Sequence, residues 1–138
     1  MNLIQICLIS IFLFTVSCSG IKKIEKKLHG TWVLQSVNEE PIKNTSNSPT
    51  AVFDCNSYKL SGVDGCNRYN TSFKLSKGNK IEVSPISKTK MMCVGVMDFA
   101  NQFEQMMRNS NYITIDSNVL KLLNEKNINH YFVELLLC

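Results

Sequence analysis

From residue 28 onward, apolar side chains recur mainly at every second position, in short runs separated by turn residues. Residues 31–37 alternate, with Trp32, Leu34 and Ser36 on one face and Val33 and Val37 on the other. Residues 51–55 and 58–63 read as a hairpin turning near Asn56 and Ser57. Residues 68–75 put Tyr69, Thr71, Phe73 and Leu75 on one side, and Gly78-Asn79 then turns the chain into 81–84. Pro85 interrupts, and 86–93 follows as extended chain. The rhythm then changes once. Val96, Phe99, Ala100, Phe103, Met106 and Met107 recur at helical spacing, which predicts a helix over 95–108. Asp98 complements its dipole, and Glu104 and Arg108 stand four apart. Strands at 112–115, 119–123 and 130–137 complete the chain, with the polar segment 44–49 as an exposed loop. The class predicted is α+β: a curved, mostly antiparallel β-sheet packed with one main α-helix. Tyr58, Tyr69 and Tyr131 are read as sheet packing rather than as an aromatic surface.

The first residues differ from all that follows. Positions 3–16 carry no charge and end in Thr15-Val16-Ser17-Cys18-Ser19-Gly20, with the first lysines at 22 and 23. A bilayer core needs about 20 apolar residues as helix, so the run reads as a signal-peptide core followed by small residues. A Cys directly after such residues resembles a bacterial lipobox, although no Lys or Arg precedes the run and Thr15 stands where Leu is commonest. The resemblance implies cleavage before Cys18 and acylation at Cys18. The organisation expected is therefore a signal peptide at 1–17, a lipidated Cys and basic tether at 18–27, and one domain at 28–138. The membrane is then a partner through the lipid.

The chain has 138 residues and a net charge of +4. Lys22, Lys23, Lys26 and Lys27 against Glu25 supply +3 of it. The basic excess thus lies beside the anchor, either touching anionic head groups or simply solvated. The domain is nearly neutral, which argues against a nucleic-acid partner. Cys7 leaves with the signal, so Cys55, Cys66, Cys93 and Cys138 remain. Four cysteines allow three connectivities, and pairing is the expectation in an oxidising compartment.

Two motifs stand out: Ser61-Gly62-Val63-Asp64-Gly65-Cys66-Asn67-Arg68-Tyr69, and Thr89-Lys90-Met91-Met92-Cys93 before the helix. With Gly30-Thr31-Trp32 ahead of them and the Tyr112-led strand behind, their order resembles the META domain family, which includes the HslJ-like heat-shock lipoproteins of bacteria. Asp64 stands where the family usually has Gly, as does Thr71, and Met92 replaces the commoner Ala. The resemblance implies a bond between Cys66 and Cys93, which lie in the two motifs. This leaves Cys55 to pair with Cys138, provided the last strand ends beside the strand ending at Cys55. The family is linked to heat response, to novobiocin tolerance and, in trypanosomatid relatives, to motility or virulence. No catalytic mechanism comes with it.

A Cys66 or Cys93 nucleophile with His29 or His130 as base is weaker than a disulfide. A metal site on Cys66, Cys93 and a His lacks ligand spacing, so no metal and no cofactor are expected. Arg68 is a candidate for an anionic ligand or for pairing with Asp64. Asn67 shapes the loop, and Lys90 is exposed or a local partner. The function expected is a non-enzymatic, monomeric lipoprotein of the bacterial envelope with a binding or structural role in stress or antibiotic tolerance. Its expected place is the outer membrane, facing periplasm or cell surface. The alternative is a hydrolase or inhibitor-like factor acting on an envelope component.

Overall fold

Alternation along the strands builds a sheet that curls back on itself. The structure is a computed structural model that describes residues 19–37, 40–42, 47–124 and 133–137, the last segment as backbone. Residues 1–17, Cys18, His130, Tyr131 and Cys138 lie outside the described residues. The elements run α1 (Ser19–Leu28), β1 (Gly30–Val37), β2 (Glu40–Pro41), β3 (Thr50–Asp54), β4 (Lys59–Val63), β5 (Arg68–Ser76), β6 (Lys80–Val83) and β7 (Ser87–Lys88). Then come α2 (Met97–Asn109), β8 (Tyr112–Asp116), β9 (Val119–Leu123) and β10 (Val133–Leu137).

All pairings are antiparallel. The eight main strands follow the order β1-β3-β4-β5-β6-β8-β9-β10, and β10 pairs with both β9 and β1, closing the round. The thinnest junction is β6–β8, where the pair Lys80–Tyr112 is flanked by Ile81 N–H to Asn111 O at 2.9 Å and Ile113 N–H to Asn79 O at 2.8 Å. Curling removes exposed edges and leaves two ends. One end carries the start of β1 and the β3–β4, β5–β6 and β8–β9 turns. The other carries the β4–β5 loop and the connection from β6 to α2.

The inward faces are those the period-2 pattern marks: Trp32 and Leu34 on β1, Tyr69, Thr71 and Phe73 on β5, and Leu120 and Leu122 on β9, all buried. Phe53 meets Phe73 edge-on, ring centroids 5.3 Å apart. Ala100, Phe103, Met106 and Met107 of α2 pack into the same core. Helix α2 begins after Gly95, whose φ of +82° reverses the chain, two residues later than predicted. Of its predicted stripe, Phe99 is half-buried, and Val96 falls at the N-cap and stays exposed.

Two expectations are corrected. The segment from Ser19 is a helix, not a tether: Ile24 packs on the core, Leu28 is fully buried, and the Trp32 indole N–H donates to Leu28 O at 2.8 Å. Tyr58 lies in the β3–β4 turn at φ +53° and is 41% exposed, so it is not sheet packing, although its ring touches Phe73. Of the extended chain 86–93, only Ser87–Lys88 pairs, with Tyr69 and Asn70 of β5.

Candidate functional site: a disulfide-pinned apolar loop

The β4–β5 loop is shaped by two glycines and one carboxylate. A Cβ on Gly62 would stand 2.0 Å from Thr50 O, so only Gly lets β3 come this close. Gly65 turns at φ +101°, where an L side chain is strained. The Asp64 carboxylate then gathers the bend: Oδ1 accepts from Cys66 N–H at 2.9 Å and Asn67 N–H at 2.6 Å, and Asp64 N–H donates to Asn67 O. This is the self-bonding that makes Asp common in turns.

Asn67, 1% exposed, ties this loop to the second motif. Its Oδ1 accepts from Thr89 Oγ1 at 2.8 Å and Met91 N–H at 2.7 Å, and its Nδ2 donates to Met91 O at 3.4 Å. Thr89 Oγ1 also accepts from Arg68 N–H, and Thr89 N–H donates to Arg68 O. Cys66 and Cys93 are joined by a disulfide, Cα atoms 5.8 Å apart. The chain from Thr89 to Cys93 is thus held at both ends and in the middle. It presents its apolar side chains outward: Met91 is 52% exposed, Met92 86% and Val94 99%. Burial does not hold this segment in place; the bonds to its backbone do so.

Behind the loop lies a charged cluster that sequence reasoning missed. Asp64 Oδ2 is buried and makes no hydrogen bond; Lys88 Nζ lies 3.6 Å away. Lys88 Nζ also donates to Glu104 of α2 at 2.8 Å and to Asn101 Oδ1 at 3.3 Å. The Glu104 hydrogen bond, with the charges of Glu104 and Asp64, outweighs desolvation and raises the Lys88 pKa. Asp64, Tyr69, Ile86, Lys88, Phe103 and Glu104 enclose a gap with no room for water. Tyr69 donates its hydroxyl to Thr50 O at 2.8 Å, and burial, then the Asp64 charge, pushes its pKa up. A buried carboxylate in place of Gly is the sequence signal for this cluster, because it demands a cation.

The expected site residues do not converge. Asn67 is a buried strut, while Arg68 and Lys90 are exposed. Lys88, not Arg68, faces Asp64. Arg68 and Thr89 border a shallow surface depression of about 300 Å³ with Tyr69, Asn70, Ser87 and Lys88. His29 lies at the opposite end, where its Nδ1 accepts from Cys55 N–H at 3.2 Å. Among the described residues, no three His, Cys, Asp or Glu side chains are grouped to hold a metal.

The expected Cys55–Cys138 pair is also corrected. Cys55 is a free thiol. β1 lies between β3, which Cys55 follows, and β10. Strands two apart in a sheet are about 9.5 Å distant, beyond the ~7 Å a disulfide spans between Cα atoms. Cys138 itself lies outside the described residues.

Comparison with known proteins agrees with the motif order. Heat shock protein HslJ of Escherichia coli (strain K12) is 27% identical over 124 residues, 86% of each chain. A protein solved by NMR matches with a TM-score of 0.64 at 26% identity, over 82% of this chain and 92% of its own. A second NMR structure, of a protein from Burkholderia xenovorans, shares the fold at a TM-score of 0.63 and 17% identity, over 84% and 87% of the two chains. The META domain profile matches residues 25–135, and the chain belongs to the META domain family.

Proposed function

We propose that this protein is a lipid-anchored lipoprotein of the bacterial envelope whose META domain is a non-catalytic binding module for stress or antibiotic tolerance. The observation that carries the reading is the use of the two motifs. Asp64, Cys66, Asn67 and Thr89 are spent on holding one loop, and that loop offers Met91, Met92 and Val94 to the outside. Apolar side chains held at a surface mark an interaction site. Arg68 and Lys90 flank them, exposed. The partner that fits is a protein with an apolar pocket and an acidic rim. The position of Cys18 after the apolar run supports a lipid anchor, and the place proposed for that anchor is the outer membrane, with the domain facing periplasm or cell surface. The similarity to a heat shock protein supports a role in stress.

The test pairs two variants. Cys18→Ala removes the acylation site, and the expected result is a change in mature mass and loss of membrane partitioning. Retention of both would overturn the anchor. Met92→Ser with Val94→Ser leaves folding intact because both side chains are exposed. It is expected to abolish growth rescue under heat or novobiocin. Full rescue by the variant, or turnover of an envelope component by the purified protein, would overturn the binding reading.

A further inference from the structure

Helix α1 has two faces. At about 100° per residue, Lys22, Lys23, Lys26 and Lys27 fall within an arc of about 140°, opposite Ile21, Ile24 and Leu28. Ile24 and Leu28 pack on the barrel core, while the four lysines are exposed, and no ion pair holds them among the described residues. The helix has one acid, Glu25, and it is turned aside to accept the Tyr58 hydroxyl hydrogen bond. The other acids at this end, Asp54 and Asp116, sit on the β3–β4 and β8–β9 turns, off the helix. Helix α1 is therefore a cationic plate fixed rigidly to the barrel, and it begins one residue after Cys18.

We infer that α1 is a membrane-docking surface: its lysine face lies on anionic phospholipid head groups and sets the orientation of the barrel. The inference rests on the lipid-anchored reading. Attraction to an anionic leaflet decays within roughly 8–10 Å, so a basic face matters only when held close. An acylated Cys18 next to Ser19 holds it there. Each lysine near such a surface favours contact by about fivefold. With α1 down, the Met91–Val94 loop at the far end of the barrel points away from the membrane, towards a partner.

Trp32, the single tryptophan, lies under α1 and reports the orientation. The full lipidated chain is reconstituted into vesicles carrying a dansyl-labelled head group, and energy transfer from Trp32 is read. Transfer is expected to be about twofold higher on vesicles with one-third phosphatidylglycerol than on phosphatidylcholine alone, and to lose this gain near about 0.5 M salt. Replacing all four lysines (Lys22→Gln, Lys23→Gln, Lys26→Gln and Lys27→Gln) removes the gain, with an unchanged melting temperature as the folding control. Equal transfer on both vesicle types for the acylated wild type overturns the docking surface. A detergent-solubilised dimer that the four-Gln variant loses assigns the face to a second copy and also overturns it. A chain whose mass shows no acyl groups overturns only the anchor. Flotation of that chain with anionic vesicles, lost in the four-Gln variant, then supports the docking surface, and no flotation refutes it.

Discussion

The side-chain amide of Asn67 brackets the peptide of Met91, accepting from its N–H at 2.7 Å and donating to its carbonyl at 3.4 Å. A side chain here does what a neighbouring strand would do for a ladder, at a place where no strand exists. Asn67→Ala removes three hydrogen bonds at once and leaves the Thr89 hydroxyl without this acceptor. The expected cost is about 2–3 kcal/mol. Urea denaturation measures it, and hydrogen exchange at the Met91 amide should quicken selectively.

Lys88 is the cation that Asp64 faces, so its removal leaves a buried carboxylate uncompensated. Lys88→Met is expected to cost about 2–4 kcal/mol, less than a fully buried pair because Lys88 and Glu104 keep some solvent contact. The pH dependence has a definite sign. The folded pKa of Lys88 is raised above 10.5, first by its hydrogen bond to Glu104. The pair therefore contributes fully below pH 10.5 and is lost as pH rises through the folded value. Wild type should lose stability on that alkaline limb, and Lys88→Met should lack this part of the decline.

Gly62→Ala tests the close approach of β3 and β4. The new Cβ meets Thr50 O, which also accepts the Tyr69 hydroxyl, while Thr50 Oγ1 accepts Val63 N–H. Backbone must move and both bonds suffer, so we expect a loss of about 2–4 kcal/mol. Gly20→Ala in α1 is the contrast: nothing lies within 4 Å of its Cβ. It should be neutral or stabilising by up to ~1 kcal/mol. Thermal melts of the two variants separate crowding from mere loss of glycine.

Much of the barrel is legible because an inward face repeats every second residue; Trp32-Leu34-Ser36 and Tyr69-Thr71-Phe73 name their own sides. Helix α2 shows itself by the single change of period. Helix α1 hid behind its lysines, although Ile21, Ile24 and Leu28 keep helical spacing beneath them. Strand β2 has two residues, too few for any period. What alternation cannot give is which strand lies beside which. The placing of β1 between β3 and β10 is a long-range fact, and it separates the strand that Cys55 follows from β10. The Asp64–Lys88 contact is hidden for the same reason: it joins the β4–β5 loop to β7 across 24 positions, and only the burial of Asp64 calls for it.

The disulfide closes a loop of separation 27. Loop-closure entropy for that length amounts to about 3–4 kcal/mol. Cys66→Ser with Cys93→Ser should lower stability by about that amount, while Asn67 keeps the two motifs in contact. A denaturant series compares the variant with wild type. A loss under ~1 kcal/mol would show that the polar bonds alone constrain the loop.

Cys55 gives the last prediction. Its thiol is half-buried at the α1 end, and burial, then the charges of Glu25 and Asp54, pushes its pKa from 9.0 up to about 11. Only the thiolate attacks an alkylating reagent, so at pH 8 a rise of two units cuts the reactive fraction about a hundredfold. A thiolate of higher pKa is also more nucleophilic and recovers part of that loss, so iodoacetamide should modify Cys55 about tenfold more slowly in the folded chain than in urea. Mass spectrometry of the Cys55 peptide, quenched over time at pH 8, gives both rates. Comparable rates would mean that the thiol is neither buried nor beside two carboxylates. A mixed peptide carrying Cys55 bonded to Cys138 would restore the expected pairing.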